Sequence, residues 1–303
     1  MTDIEKWRLL CEEMQARYPV LASVWLQAID RFGDNWVAEC IFNLETIYGS
    51  VTSPLSEEVI ALLDGYAEFS YDALRNQVYY ERTGRYRASS YEEVSRECYH
   101  NPDYMNRRYL PGMIVSHFVW PQHYHMQKGF KTLLLPRVRS SRLFFEVGVG
   151  CGLYSKITLE ALPHVKGVGF DISQFALDFT GQILEKFGLA ERYSLANLDI
   201  RHGYSTTCDF LICQEVLEHL EQPAEFCRWL RNLIKPGGYA YITAALNAAH
   251  SDHIYLFHTP TELEEMLRAA GLRPLHGHEE FAPGFKPRNF TPSLSGFLCQ
   301  RTT

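Results

Sequence analysis

The run Phe145-Glu146-Val147-Gly148-Val149-Gly150-Cys151-Gly152 constrains this chain more than any other segment. An apolar β-like stretch, LFFEVGV (143–149), meets three alternating glycines and then a segment with helical spacing. Glycines let a backbone turn tightly and approach a ligand closely, and a helix N-terminus offers unpaired N–H groups. A nicotinamide-dinucleotide loop needs G-x-G-x-x-G to cradle a pyrophosphate. Here the third glycine arrives one residue early, and a carboxylate, Glu146, stands two residues before the first. That acid suits a cationic group such as an amino-acid ammonium. Asp171 ends the next strand-like run (166–172), where an acid can accept from two ribose hydroxyls. Asp199 ends the third (193–199), in place to accept from an adenine amino group.

Further β-like runs at 209–215 and 239–245 alternate with helix-length segments, and two last strands are expected near 273–281 and 293–300. Repeated βα units imply a doubly wound α/β fold, a parallel sheet covered by helices on both faces. Thr259-Pro260-Thr261-Glu262 carries the N-cap, N1 proline and N3 acid of a helix start, and Gly271 should stop that helix. Lys235-Pro236-Gly237-Gly238 reads as the turn before the fifth strand. Residues 1–140 differ: helical spacing dominates at 4–18, 20–32 and 56–77, punctuated by Ser53-Pro54 and Gly65. The expected organisation is an all-helical N-terminal cap (1–140) followed by a cofactor-binding domain (141–303).

Composition narrows the partners. The 303 residues are 46% hydrophobic and 21% charged, which fits a folded globular chain and excludes disorder or collagen-like repeats. A net charge of −7 disfavours duplex nucleic acid as partner. No apolar run reaches the roughly 18–20 residues of a membrane helix, and the N-terminal MTDIEKW lacks a signal-peptide core. The eight cysteines form no C-x-x-C and are expected as buried free thiols of a cytoplasmic protein.

These elements together resemble the class I S-adenosylmethionine (SAM)-dependent methyltransferases. The matching phrases are E-V-G-V-G-C-G (146–152), G-F-D-I-S (169–173), L-D (198–199), D-F-L-I-C-Q-E-V-L-E-H-L (209–220) and L-I-K-P-G-G (233–238). E-V-L-E-H, K-P-G-G and the T-P-x-E-L…A-G-L helix (259–272) are shared with the branch containing the ubiquinone and menaquinone biosynthesis methyltransferases. The resemblance covers about 142–300. It implies a Rossmann-like, mostly parallel sheet of seven strands, the last antiparallel, with SAM as cofactor. It implies that Glu146, Gly148, Gly150 and Gly152 hold the methionine part. Asp171 would bind the ribose hydroxyls and Ile172 pack on the adenine. Leu198 and Asp199 would read the adenine edge, and Gln214 lie under the methionyl group. The activity implied is methyl transfer to a small molecule of specialised biosynthesis. The alternative keeps SAM but uses its amino-carboxypropyl arm, as in closure to azetidine-2-carboxylate with release of methylthioadenosine.

Methyl transfer to oxygen or nitrogen needs a proton acceptor, usually histidine near pH 7. His219, after the fourth strand, is one candidate, with a structural role as its alternative. His250 and His253 follow the fifth strand, where this fold builds its substrate wall. Their H-x-D-H spacing also permits a metal, but no second cluster completes it, so no metal is expected. His123 and His125, like His276 and His278, read as surface or packing pairs. Ten of the eighteen tyrosines lie between Tyr66 and Tyr124. Aromatic faces attract a sulfonium and hold flat or apolar substrates, so Tyr79, Tyr80, Trp120 and Tyr124 are the expected substrate contacts.

Overall fold

The computed structural model describes residues 1–282 and 291–302. The N-terminal region is helical, as its periodicity demands. Helix α1 (Asp3–Arg17) opens on a capping box: the Thr2 hydroxyl accepts from Glu5 N at 3.2 Å, and the Glu5 carboxylate accepts from Thr2 N at 2.7 Å. Helices α2 (Pro19–Phe32) and α3 (Asp34–Tyr48) pack on it through a buried tryptophan cluster. Trp7 stacks on Trp25 at 5.0 Å and meets Trp36 edge-on at 4.8 Å.

Helix α4 (Glu57–Thr83) runs straight through Gly65, which was expected to punctuate it. A Cβ there would lie 2.5 Å from the Arg107 carbonyl oxygen, so the glycine serves close packing. Short helical and π-turns follow over Tyr91–Tyr109. Helices α5 (Leu110–Val119) and α6 (Pro121–Leu133) then lead into the sheet.

That sheet has seven strands: β1 (Leu143–Val147), β2 (Lys166–Asp171), β3 (Tyr193–Asn197), β4 (Cys208–Cys213), β5 (Ile234–Leu246), β6 (Leu272–Phe281) and β7 (Ser293–Arg301). Their order is β3-β2-β1-β4-β5-β7-β6, parallel except for antiparallel β7. The intervening helices are α7 (Leu153–Ala161), α8 (Gln174–Lys186), α9 (Pro223–Asn232) and α10 (Pro260–Ala269). Thr259 caps α10 by accepting from Glu262 N, as expected, and Gly271 follows its end at φ +83°.

Lys235–Gly238 is not a turn ahead of β5. It is a bulge inside it, between the pairings Cys208 with Ile234 and Phe210 with Tyr239. One hydrophobic core cluster joins Trp7, Trp36 and Phe118 of the helical region to Phe144, Phe210 and Tyr241 of the sheet. All eight cysteines are buried and free. Among the described residues no helix is long and apolar enough to cross a membrane.

Candidate active site

Strands β1, β2, β4 and β5 end at one edge of the sheet, beneath α4 to α6. A cavity of about 470 Å³ lies between the two layers, within the usual range for a small-molecule site, roughly 300–1,000 Å³.

Its floor is the glycine loop. Gly148, Gly150 and Gly152 all adopt left-handed φ, +74°, +50° and +69°. Their packing distinguishes them. Gly148 abuts Val216, and a Cβ on Gly150 would lie 3.0 Å from Met113 Sδ of α5; both glycines line the cavity. Gly152 turns away, packed against Thr180, and caps α7. It is an architectural residue, not the ligand contact expected.

Glu146, at the end of β1, is 2% exposed and faces the cavity. It accepts a short hydrogen bond from the Ser155 hydroxyl and a longer one, 3.5 Å, from Tyr193. Burial still pushes its pKa up to about 8, because neither partner is charged. Asp171 accepts from Ser173 N at 2.9 Å and Gly150 N at 3.3 Å, tying strand end to glycine loop. Burial raises its pKa against these bonds. Ile172 and Gln214 also line the wall; Gln214 is oriented by Thr243 and the Tyr241 carbonyl.

Leu198 and Asp199 do not line the cavity. Asp199 caps a short 3₁₀ turn and chelates Arg201, with contacts of 2.6–3.0 Å. The arginine satisfies the carboxylate that an adenine amino group would otherwise need.

The opposite wall holds the histidines. His219, His250 and His253 all line the cavity, grouped around the fully buried Asp252. His250 Nδ1 lies 2.9 Å from Asp252 Oδ1. His219 Nδ1 lies 3.0 Å from the Asp252 carbonyl and 3.4 Å from Oδ2, so it carries the proton and Nε2 is the basic nitrogen. Burial alone would raise Asp252, but the surrounding imidazoles hold it far below the carboxylate range. Burial would lower His250, yet its bond to Asp252 and the charge of Asp72 raise it. His253, buried and donating Nδ1–H to Ala248 O at 2.8 Å, is pushed down to about 3.

Glu218 adds a carboxylate beneath this cluster. Glu218, His219 and His253 each offer one ligand atom, all within 4.8 Å of one another. A divalent cation could be held there, a grouping hidden in the sequence because the first two residues are distant from the third.

Residues 247–253 are clamped by α4. Tyr80 OH donates to Asn247 Oδ1 at 2.9 Å, Gln77 bonds both Asn247 O and Ala249 N, and Ser251 donates to Asp72 at 2.5 Å. Tyr80 is therefore a clamp, not a substrate contact. Tyr79 lies outside the cavity with Arg87 4.2 Å over its ring, and Tyr124 packs on Phe32 at 4.7 Å. Of the four expected aromatics, Trp120 alone faces the cavity. Others line it instead, notably Tyr66, Phe69, Tyr99 and Tyr109, the last two supplied by the π-turns. Helical periodicity could not find them, since a π-turn displaces side chains from the i, i+3, i+4 stripe.

Two further residues belong here, His123, read as inert, and Glu215, given no role by the sequence. His123, expected at a surface or in packing, is buried in the cavity wall with Nε2 3.8 Å from Glu215 Oε2. Glu215 itself adopts φ +51° at the end of β4, a strained conformation characteristic of functional sites.

The methyltransferase-domain family matches residues 145–240. Over these residues the chain is similar to the class I SAM-dependent methyltransferases. The ubiquinone biosynthesis O-methyltransferase of Ralstonia nicotianae is 31% identical over 149 residues, 43% of this chain. That match spans 62% of the relative's length. Among solved structures, the mitomycin 7-O-methyltransferase MmcR aligns with TM-score 0.57 at 13% identity, covering 99% of this chain and 95% of its own. Human N-acetylserotonin methyltransferase in complex with SAM gives TM-score 0.54 at 18% identity, covering 86% and 74%. Both likenesses show the class I methyltransferase fold, and the first extends through the helical N-terminal region.

Proposed function

We propose that this chain transfers the methyl group of SAM to a small molecule held in the cavity. One observation carries the reading: a single cavity contains both the Glu146, Gly148, Gly150 and Asp171 face and the imidazole cluster, roofed by residues 1–140. The donor set fits the cofactor. Glu146 is a buried carboxylate without a cationic partner, suited to an ammonium. Buried polar atoms without hydrogen-bond partners also line the cavity: His117 Nδ1, Gln122 Oε1, Tyr154 OH and Ser70 Oγ. Such atoms are rare unless a ligand or water meets them.

Bound SAM supplies a methyl group activated on a sulfonium. Glu146 would hold its ammonium, Asp171 its ribose hydroxyls, Ile172 its adenine face and Gln214 its methionyl part. The chain's own work is alignment, water exclusion and proton removal. The helical roof excludes water. His219 takes the acceptor's proton at Nε2, because Nδ1–H is committed to Asp252 and that carboxylate stabilises the imidazolium as it forms. His250 has Nδ1 committed to Asp252 and Nε2 facing Asp72, so it is not the base. His253 stays neutral.

The test is to incubate the protein with SAM and identify the nucleoside released. S-adenosylhomocysteine formed in proportion to an added acceptor supports methyl transfer. Methylthioadenosine formed from SAM alone overturns it in favour of amino-carboxypropyl chemistry, with azetidine-2-carboxylate as the co-product.

A further inference from the structure

The acceptor half of the cavity has a one-sided charge pattern. Among the described residues no lysine or arginine lines it, while Glu215 and Asp252 do. Asp252 is already matched by its imidazoles. Glu215 is not. Among the described residues no hydrogen bond reaches its carboxylate, and the basic group beside it, His123 Nε2 at 3.8 Å, has its pKa lowered by burial.

The backbone explains why the carboxylate stays there. Glu215 N donates to both Thr243 O and Thr243 Oγ, at 3.2 and 3.0 Å, which fixes the φ +51° turn. A strained, over-determined conformation thus holds an unpaired acid at a cavity wall. Beside it the aromatic wall is continuous. Trp120 meets His123 at 5.0 Å and Phe69 at 5.4 Å, and its indole N–H is taken by Tyr66 OH at 3.0 Å, which locks the ring. A carboxylate next to fixed aromatic faces is the arrangement that recognises an organic ammonium. Val20 and Leu74, both exposed, also line the cavity and give it an apolar boundary with solvent.

We propose that the acceptor carries an amine on an apolar body: the ammonium pairs with Glu215 against Trp120 as a binding handle rather than as the methylated atom, and the apolar part extends toward Val20 and Leu74. Acceptors bearing a carboxylate or phosphate are disfavoured: among the described residues no lysine or arginine lines this wall, and the His250 imidazole is already paired with Asp252. The inference rests on the methyltransferase reading of the cavity and specifies its substrate class.

The test uses calorimetry in the presence of S-adenosylhomocysteine, with three phenols of matched size: tyramine, uncharged p-ethylphenol and anionic p-hydroxyphenylpropionate. Tyramine should bind at least about tenfold more tightly than the anion, the scale of a charge-assisted hydrogen bond. Glu215→Gln and Glu215→Asn should abolish that preference while leaving S-adenosylhomocysteine affinity unchanged and without lowering the melting temperature. Asparagine tolerates the left-handed backbone, so a folding defect in one variant is controlled by the other. The inference is overturned if tyramine does not bind saturably, if the anion binds equally well, or if the preference survives both substitutions. Failure of S-adenosylhomocysteine itself to bind would sink the underlying reading as well. Its binding without an amine preference sinks this inference alone.

Discussion

His250 and Asp252 form a buried ion pair, Nδ1 to Oδ1 at 2.9 Å, on a segment held down by α4. Asp72 of that helix stands 3.5 Å from the other ring nitrogen, so the roof supplies part of the charge that raises the His250 pKa. The raised His250 pKa makes this stabilisation fully present below the unfolded value of 6.5 and lost as pH rises through the folded value. His250→Gln should therefore destabilise the protein more at pH 6 than at pH 9, by denaturant unfolding. Asp252→Asn leaves a buried imidazolium unpaired and should cost about 3–5 kcal/mol below pH 6.5. Equal losses at both pH values would refute the pairing.

Glu146 trades stability for ligand affinity. Its native pKa of about 8 exceeds the ordinary 4.5, so the folded state holds a proton that the unfolded state releases. Stability contributed by this group thus falls as pH rises from 4.5 to 8. Glu146→Gln should remove that slope, gaining stability relative to the parent at pH 8, and should bind SAM at least about tenfold more weakly. Thermal melts across pH combined with calorimetry check both signs; a variant that is less stable yet binds SAM normally contradicts the assignment.

His219 is the residue on which turnover should depend. With a cognate acceptor, His219→Gln should lower kcat by about 10²–10⁴ with little change in SAM affinity. His253→Gln should have a smaller effect, because that imidazole is already a weak base. A parent-like rate in His219→Gln would leave the proton to Glu215 or to the solvent.

The clamp from α4 predicts a coupling between roof and site. Tyr80→Phe removes the donor to Asn247 Oδ1 and should cost about 1 kcal/mol. The 247–253 segment should become more protease-sensitive, and KM for the acceptor should rise. Unchanged proteolysis at that segment would show that the hydrogen bond does not hold it.

The convergence of Glu146, Gly148, Gly150 and Asp171 on the cavity was legible from the sequence because these residues lie close together in the chain, whereas Gly152, Leu198 and Asp199 do not line it. Glu146, Gly148 and Gly150 sit within five residues of one another, Asp171 ends the next strand, and period-two alternation places all of them at one sheet edge. The local βα repeats indicated a parallel sheet; the count of seven strands with the last antiparallel came from the family resemblance, and their order is set by the tertiary structure. The acceptor side was different. Tyr79, Tyr80 and Tyr124 have the right chemistry, yet α4 and α6 turn them to the clamp or the exterior. Tyr99 and Tyr109 reach the cavity only through π-turns. Glu215 gains its place from a left-handed backbone that no propensity signals, and Glu218 meets His253 across two strand ends. Arg201 closes off Asp199 by a contact two residues away that composition does not distinguish from a surface pair. Periodicity specifies which face of an element is buried; which buried groups converge on a ligand depends on how the helical roof and the sheet edge pack against one another.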